Sequence, residues 1–213
     1  MRGLRRAGAV LLCFALPACG ARQAEPPDHD IGEQSTSTTP QLRGASVDES
    51  TATTQDAVAA VVRFVCSGQR LLDTPPTQLP EVIRGLWSGR AADNAVTTTV
   101  EQLAELRDRL DSGRGATRYR QSVLAVRVES ASAARVEVSA WWVGVLSREG
   151  AVLPQAQWTT SLVTVIREDG GWHVDEESSE PGPVPDSTSD SEPISHEEFE
   201  RRLAGFVDWE ATQ

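Results

Sequence analysis

Lysine is absent from this 213-residue chain, and asparagine occurs once, at Asn94. All twenty basic residues are therefore arginines, set against 31 acidic residues for a formal charge of −11. So acidic a chain is a poor partner for nucleic acid or for anionic lipid headgroups. Cysteine occurs three times, at Cys13, Cys19 and Cys66, without the spacing of a zinc site. No glycine-rich phosphate loop, nucleophile elbow, calcium loop or helical carboxylate pair is present. No residue set names a reaction, a metal or a cofactor, and none is expected. No apolar run approaches the roughly 20 residues that a spanning helix needs.

What is present begins at the N-terminus. Arg2, Arg5 and Arg6 precede an apolar stretch from Ala7 to Leu16, and Leu16-Pro17-Ala18-Cys19 closes it. A basic start, a short apolar core and small residues at the cut form a signal-peptide layout over residues 1–18. The last four residues resemble the lipobox of bacterial lipoproteins. On that pattern, cleavage falls between Ala18 and Cys19, and Cys19 carries the lipid. Two acyl chains suffice for stable anchoring, at about 0.8 kcal/mol per buried methylene. The expected location is the outer face of a cell membrane. The alternative is an ordinary secretory signal, cut near Ala18 or Ala21, that releases a soluble protein.

Loss of Cys13 with the leader and lipidation of Cys19 leave Cys66 without a disulfide partner. Its place in an apolar helical run reads as a buried structural thiol. Residues 19–54 form a tether rich in proline, serine, threonine and acids. Too little apolar surface lies there to offset the entropy of ordering it. A flexible segment of about 35 residues, at about 5–6 Å × √n, holds its domain roughly 30–35 Å from the membrane.

Residues 55–180 read as one α+β domain. Val58, Val61, Val62 and Val65 repeat at helical spacing, with Gly68 as a stop. A second helix runs from Leu79 to Trp87, with Pro80 in its first turn. A third begins near Thr98, whose spacing to Glu101 makes a capping box, and carries Val100, Leu103, Leu106 and Leu110. After Tyr119 the period changes to two. Alternating runs cover Val123–Val128, Arg135–Trp142 and Trp158–Ile166, and Asp169-Gly170-Gly171 makes a hairpin turn into Trp172–Asp175. Three helices followed by three to four antiparallel strands predict helices packed on one face of a curved sheet. Residues 181–194 read as an acidic Pro/Ser-rich linker. Residues 195–209 read as an amphipathic helix with Ser195 as cap and Ile194 stapled to Phe199, docked on its own domain or on a partner.

Gln157-Trp158-Thr159-Thr160, the apolar strand after it, Glu168-Asp169-Gly170-Gly171-Trp172 and Pro181-Gly182-Pro183 carry a resemblance. The pattern is similar to a group of actinobacterial secreted or lipid-anchored envelope proteins of unassigned activity, some linked to conjugative elements. The bias toward arginine agrees with a high-GC genome. The resemblance implies a domain of the NTF2-like cone type. It also implies a non-enzymatic protein-binding or scaffold role, possible hosts being a conjugation or secretion apparatus, with another envelope protein as partner.

The competing reading is a small-molecule-binding lipoprotein or an NTF2-like enzyme with a tryptophan-lined cavity. Its weak candidates are His173, Asp175, Trp141 and Trp142. His173 and Asp175 are two apart on one strand and share a side, opposite Trp172 and Val174, which hold the expected core face. That places His173 and Asp175 toward solvent or the sheet edge. Trp141 and Trp142 are adjacent and point to opposite faces, as part of a tryptophan-rich core or as the lining of a binding face.

Metabolic labelling with a fatty acid tests the anchor. The full chain takes up label and the Cys19→Ser variant does not; equal labelling of the two removes the lipoprotein reading.

Overall fold

A computed structural model describes residues 49–110, 115–149, 152–184 and 196–209. The expected signal segment 1–18, the Cys19 lipidation site, most of the tether, residues 185–194 of the linker and the expected Ser195 cap lie outside the described residues.

The first helix, α1 (Glu49–Val65), starts inside the segment read as tether. Its Ala57, Val58, Val61, Phe64 and Val65 are buried, and α1 crosses all four long strands of the sheet. Gly68 does not end the helical region. After two turn residues it opens α2 (Gly68–Asp73), which is followed by α3 (Leu79–Arg84) with proline in its first turn. The next helix, α4 (Ala92–Leu110), begins before Thr98. Ala91 and Ala92 donate to the Ser88 carbonyl there, so the expected capping box at Thr98 and Glu101 lies mid-helix. The buried stripe of α4 runs Ala92, Ala95, Thr99, Leu103, Leu106, Leu110. Its first half is alanine and threonine, too weakly apolar to stand out in the sequence.

The sheet has five strands in the order β4-β3-β2-β1-β5. The four long strands are β1 (Thr117–Ala131), β2 (Arg135–Arg148), β3 (Val152–Glu168) and β4 (Gly171–Pro181). They form one antiparallel meander. Pro154, an expected interruption, lies within β3, where the pairing with β2 shifts register between Leu146 and Arg148. Bulges and edge strands are where a missing N–H is tolerated. Asp169 and Gly170 have φ of 50° and 81°. Positive φ at both central residues matches the right-handed twist of the flanking strands, so Asp-Gly suits the position.

Alternation alone misplaces the core face of β1. A register shift after Val123 buries Val123, Ala125 and Val126 and leaves Val128 exposed. On β2 and β3, Val136, Val138, Ala140, Trp142, Val163 and Val165 face the helices in one apolar core. Phe64 meets Trp87 there edge to face, with centroids 5.4 Å apart. Each such buried side chain contributes about 1.5–3 kcal/mol. A second cluster joins Leu106 and Leu110 of α4 to Tyr119 and Leu146 at the far end of the sheet.

Both edges of the four-strand meander are covered where they would invite pairing. On β4, Val174 exchanges hydrogen bonds with Leu86 and Ser88. On β1, Gln69 accepts from the Tyr119 N–H, the Cys66 thiol donates to the Gln121 carbonyl, and the Trp209 N–H donates to Leu124. The fifth strand, β5 (Val207–Asp208), pairs with Ala125 and Val126. The expected helix over 195–209 is accordingly two pieces, α5 (His196–Arg202) and then a turn into β5. Gly205 has φ of 79° in that turn, which ends the helix and redirects the chain along β1. Phe199 packs on Trp141, and Trp209 packs against the main core, so the segment docks on its own domain.

Gly68 marks a close approach of helix to sheet. A Cβ there meets the Tyr119 ring and the Gln121 side chain below ordinary contact distance. Gly68→Ala is expected to lose about 1–3 kcal/mol from overpacking. Gly85→Ala, whose nearest neighbour lies 3.5 Å away, is expected to shift stability little. Urea midpoints at constant slope measure both; equal midpoints for the two variants contradict the assignment.

Candidate functional site

The sequence candidates do not converge. Between Thr164 and Val165 of β3 the pairing with β4 shifts from Glu176 to Val174, leaving Asp175 as an extra residue. This bulge breaks the two-residue period on which the His173–Asp175 pairing rested. Asp175 turns into the structure and is 5% exposed, contrary to the expected solvent-facing placement, while His173 stays half-buried beside Ile166. No hydrogen bond joins the two among the described residues.

The Asp175 carboxylate is instead held by four groups. Its Oδ1 accepts from the Ser88 hydroxyl at 2.9 Å and from Arg90 Nε at 2.9 Å, and its Oδ2 accepts from Arg90 Nη2 and, at 3.3 Å, from Arg135 Nη1. Glu176, next along the bulge, faces the same two arginines at 3.7 and 3.6 Å. Burial alone raises the Asp175 carboxyl, but the hydrogen bonds from Arg90 and Ser88, with the charges of Arg90 and Arg135, outweigh it. The group is held below the ordinary aspartate range. A carboxylate this fully engaged is a clamp between the Ser88–Arg90 loop and the bulge, not a free base.

Trp141 and Trp142 do point to opposite faces. Trp142 lies in the core, and its Nε1 donates to Ser161 at 2.9 Å. Ser161 continues to Ser179, which donates to the buried Glu177. Trp141 stands on the outer face, stacked on Trp158 at 5.4 Å, edge-on to Phe199 at 5.8 Å, and donating to the Pro183 carbonyl at 3.0 Å. The pair therefore lines no common cavity with His173.

Cys66 differs from the expected buried thiol in that the residue is exposed. Its sulfur nonetheless turns inward, 3.7 Å from the Gln121 carbonyl. Desolvation raises the thiol above its ordinary value against the opposing hydrogen bond from Val123. That is the setting of an inert thiol.

The feature that alternation did not reveal is a groove of about 650 Å³ on the sheet face away from the helices. Glu137 and Ser139 come from β2, Thr160 and Leu162 from β3, and Ser178 and Glu180 from β4. Arg127 and Glu129 of β1 and Phe206 of the C-terminal segment form one wall. Arg127 organises that wall. Its guanidinium lies 4.8 Å from the Phe206 ring centroid, 2.7 Å from Glu129, and donates to the Ala204 carbonyl at 2.9 Å. Glu129 also accepts from Ser139, and these bonds hold its carboxyl below the ordinary value. Glu137 and Glu180 have no hydrogen bond or ion pair among the described residues. Leu162, on the floor between them, is 37% exposed. The lining therefore carries one arginine against three glutamates, and two of those are unpaired.

No protein-family model matches the chain, and no curated protein matches it. Solved structures do. The intermembrane-space region of the chloroplast protein ARC6 is 18% identical with a TM-score of 0.38, the match covering 62% of this chain and 96% of that one. A hexachlorocyclohexane dehydrochlorinase, LinA type 2, is 14% identical with a TM-score of 0.39, covering 67% and 92%. LinA type 3 from Novosphingobium barchaimii LL02 is 14% identical with a TM-score of 0.38, covering 67% and 94%. Likeness at this level assigns neither activity nor partner.

The Asp175 clamp has a defined pH sign. Its folded-state value is depressed, so its contribution to stability is complete above the unfolded aspartate value of about 3.9 and disappears as pH falls through the folded value. Asp175→Asn is expected to cost about 1–3 kcal/mol at neutral pH through lost charged hydrogen bonds. It is also expected to flatten the fall in stability below about pH 4. Thermal unfolding across pH 2–7 measures this; wild-type acid sensitivity in the variant contradicts it.

Proposed function

We propose that this chain is a lipid-anchored extracytoplasmic protein whose NTF2-like domain binds another envelope protein, as a scaffold component of a conjugation or secretion apparatus. The observation that carries the binding role is the groove on the outer sheet face, with its exposed Leu162 floor and two carboxylates that have no partner among the described residues. An apolar centre inside a polar, solvent-accessible rim is the layout of a protein-docking surface. The Leu16–Cys19 pattern supports the anchor, and the Pro/Ser/Thr-rich segment after it supports a tether that lets the groove search near the membrane.

The non-enzymatic reading is supported by how the polar side chains are used. Asp175 is committed to Arg90, Arg135 and Ser88, and His173 has no acid partner among the described residues. Trp142 is committed to the core. The side of the sheet that faces the helices is mostly valine and alanine, and the Glu177 carboxylate buried there is engaged by Ser179.

A photo-crosslinking residue at position 162 in intact cells tests the role. A discrete adduct with one membrane-associated protein is expected, lost when Cys19→Ser is added. The same residue at exposed position 81 on α3 is expected to give none. Identical adducts from both positions, or none from position 162, overturn the reading.

A further inference from the structure

Resting on the reading of the groove as a docking site, we propose that its occupant is an extended segment of a partner protein with the pattern basic–x–apolar–x–basic. The register of the sheet supplies the spacing. Glu137 pairs with Thr164, Ser139 with Leu162, and Trp141 with Thr160 across β2 and β3. Leu162 pairs with Ser178 and Thr160 with Glu180 across β3 and β4. Glu137, Leu162 and Glu180 therefore lie on one diagonal of the outer face, each one strand over and two residues along from the last. With strands about 4.8 Å apart and a rise of about 3.3 Å per residue, the two glutamate Cα positions are about 16 Å apart.

An extended peptide presents every second residue to one face. Positions i, i+2 and i+4 span about 13 Å, and the reach of the basic side chains covers the rest. The central apolar residue then lands on Leu162, and each cation meets one glutamate. Charge favours this occupant over an acidic or neutral one. Glu129 is already neutralised by Arg127, whereas Glu137 is half-buried with no ion pair among the described residues. The wall also shows how this surface holds a cation, since Arg127 lies between an aromatic face and a carboxylate.

The test is fluorescence anisotropy with the full chain and a labelled peptide of sequence arginine–threonine–valine–threonine–arginine between glycines. The comparison peptide has the same composition with its arginines adjacent. The spaced peptide is expected to bind about tenfold more tightly than the adjacent one, and Glu137→Gln with Glu180→Gln is expected to remove that preference. Glu81→Gln leaves it unchanged. The charge-swapped variant, Glu137→Arg with Glu180→Arg, is expected to prefer the same spaced peptide carrying glutamates, which separates a charge effect from a folding defect. Equal binding of the two peptides, or an unchanged preference in the double glutamine variant, overturns the proposal. If the position-162 crosslink persists while that preference is absent, the groove docks a partner of other chemistry. Loss of both removes the docking site as well.

Discussion

One carboxylate ties together parts of the chain that are remote in sequence. Asp175 accepts from Ser88 across 87 residues, from Arg90 across 85 and from Arg135 across 40. The contact exists because β4 carries a bulge there, and the bulge exists where Trp87 and Ser88 run parallel to Val174. Helices and sheet are thereby locked at the β4 edge. α3 and α4 leave that junction in fixed directions, and the apolar face of α1 closes over the strands. Removing a partner from a buried charge is more damaging than never having placed it there. The fold has committed to this pair of arginines.

The sheet divides the labour between its faces. One face meets the helices, and its small and branched apolar residues surround Trp142, whose indole leads through Ser161 and Ser179 to the buried Glu177. The other keeps carboxylates, hydroxyls and one exposed leucine. The C-terminal segment returns along β1 and covers only one margin of that face, placing Phe206 over Arg127 and Phe199 against Trp141. It fixes the side wall of the groove and leaves the floor open among the described residues.

Much of the architecture was legible from the residues. Valine spacing located α1, the period of two located the meander, and Asp169-Gly170 located the hairpin turn. What was illegible has specific causes. The five-stranded sheet exceeds the expected three to four because β5 is two residues long and follows a glycine turn inside an apparently continuous helical pattern. The start of α4 was obscured because alanine and threonine carry its buried stripe. Asp175 was misplaced because a bulge adds a residue without any sequence mark, and the groove was missed because its members come from four strands. Glu137, Leu162 and Glu180 become neighbours only through register.

The exclusive use of arginine carries a further consequence. In the fold, Arg127 bridges the Phe206 ring, the Glu129 carboxylate and the Ala204 carbonyl at once. Such work suits a planar fork better than a point charge. The price is chemical silence. With no ε-amine anywhere in the chain, acetyl transfer, ubiquitin conjugation and amine-directed reagents find no side chain to attack.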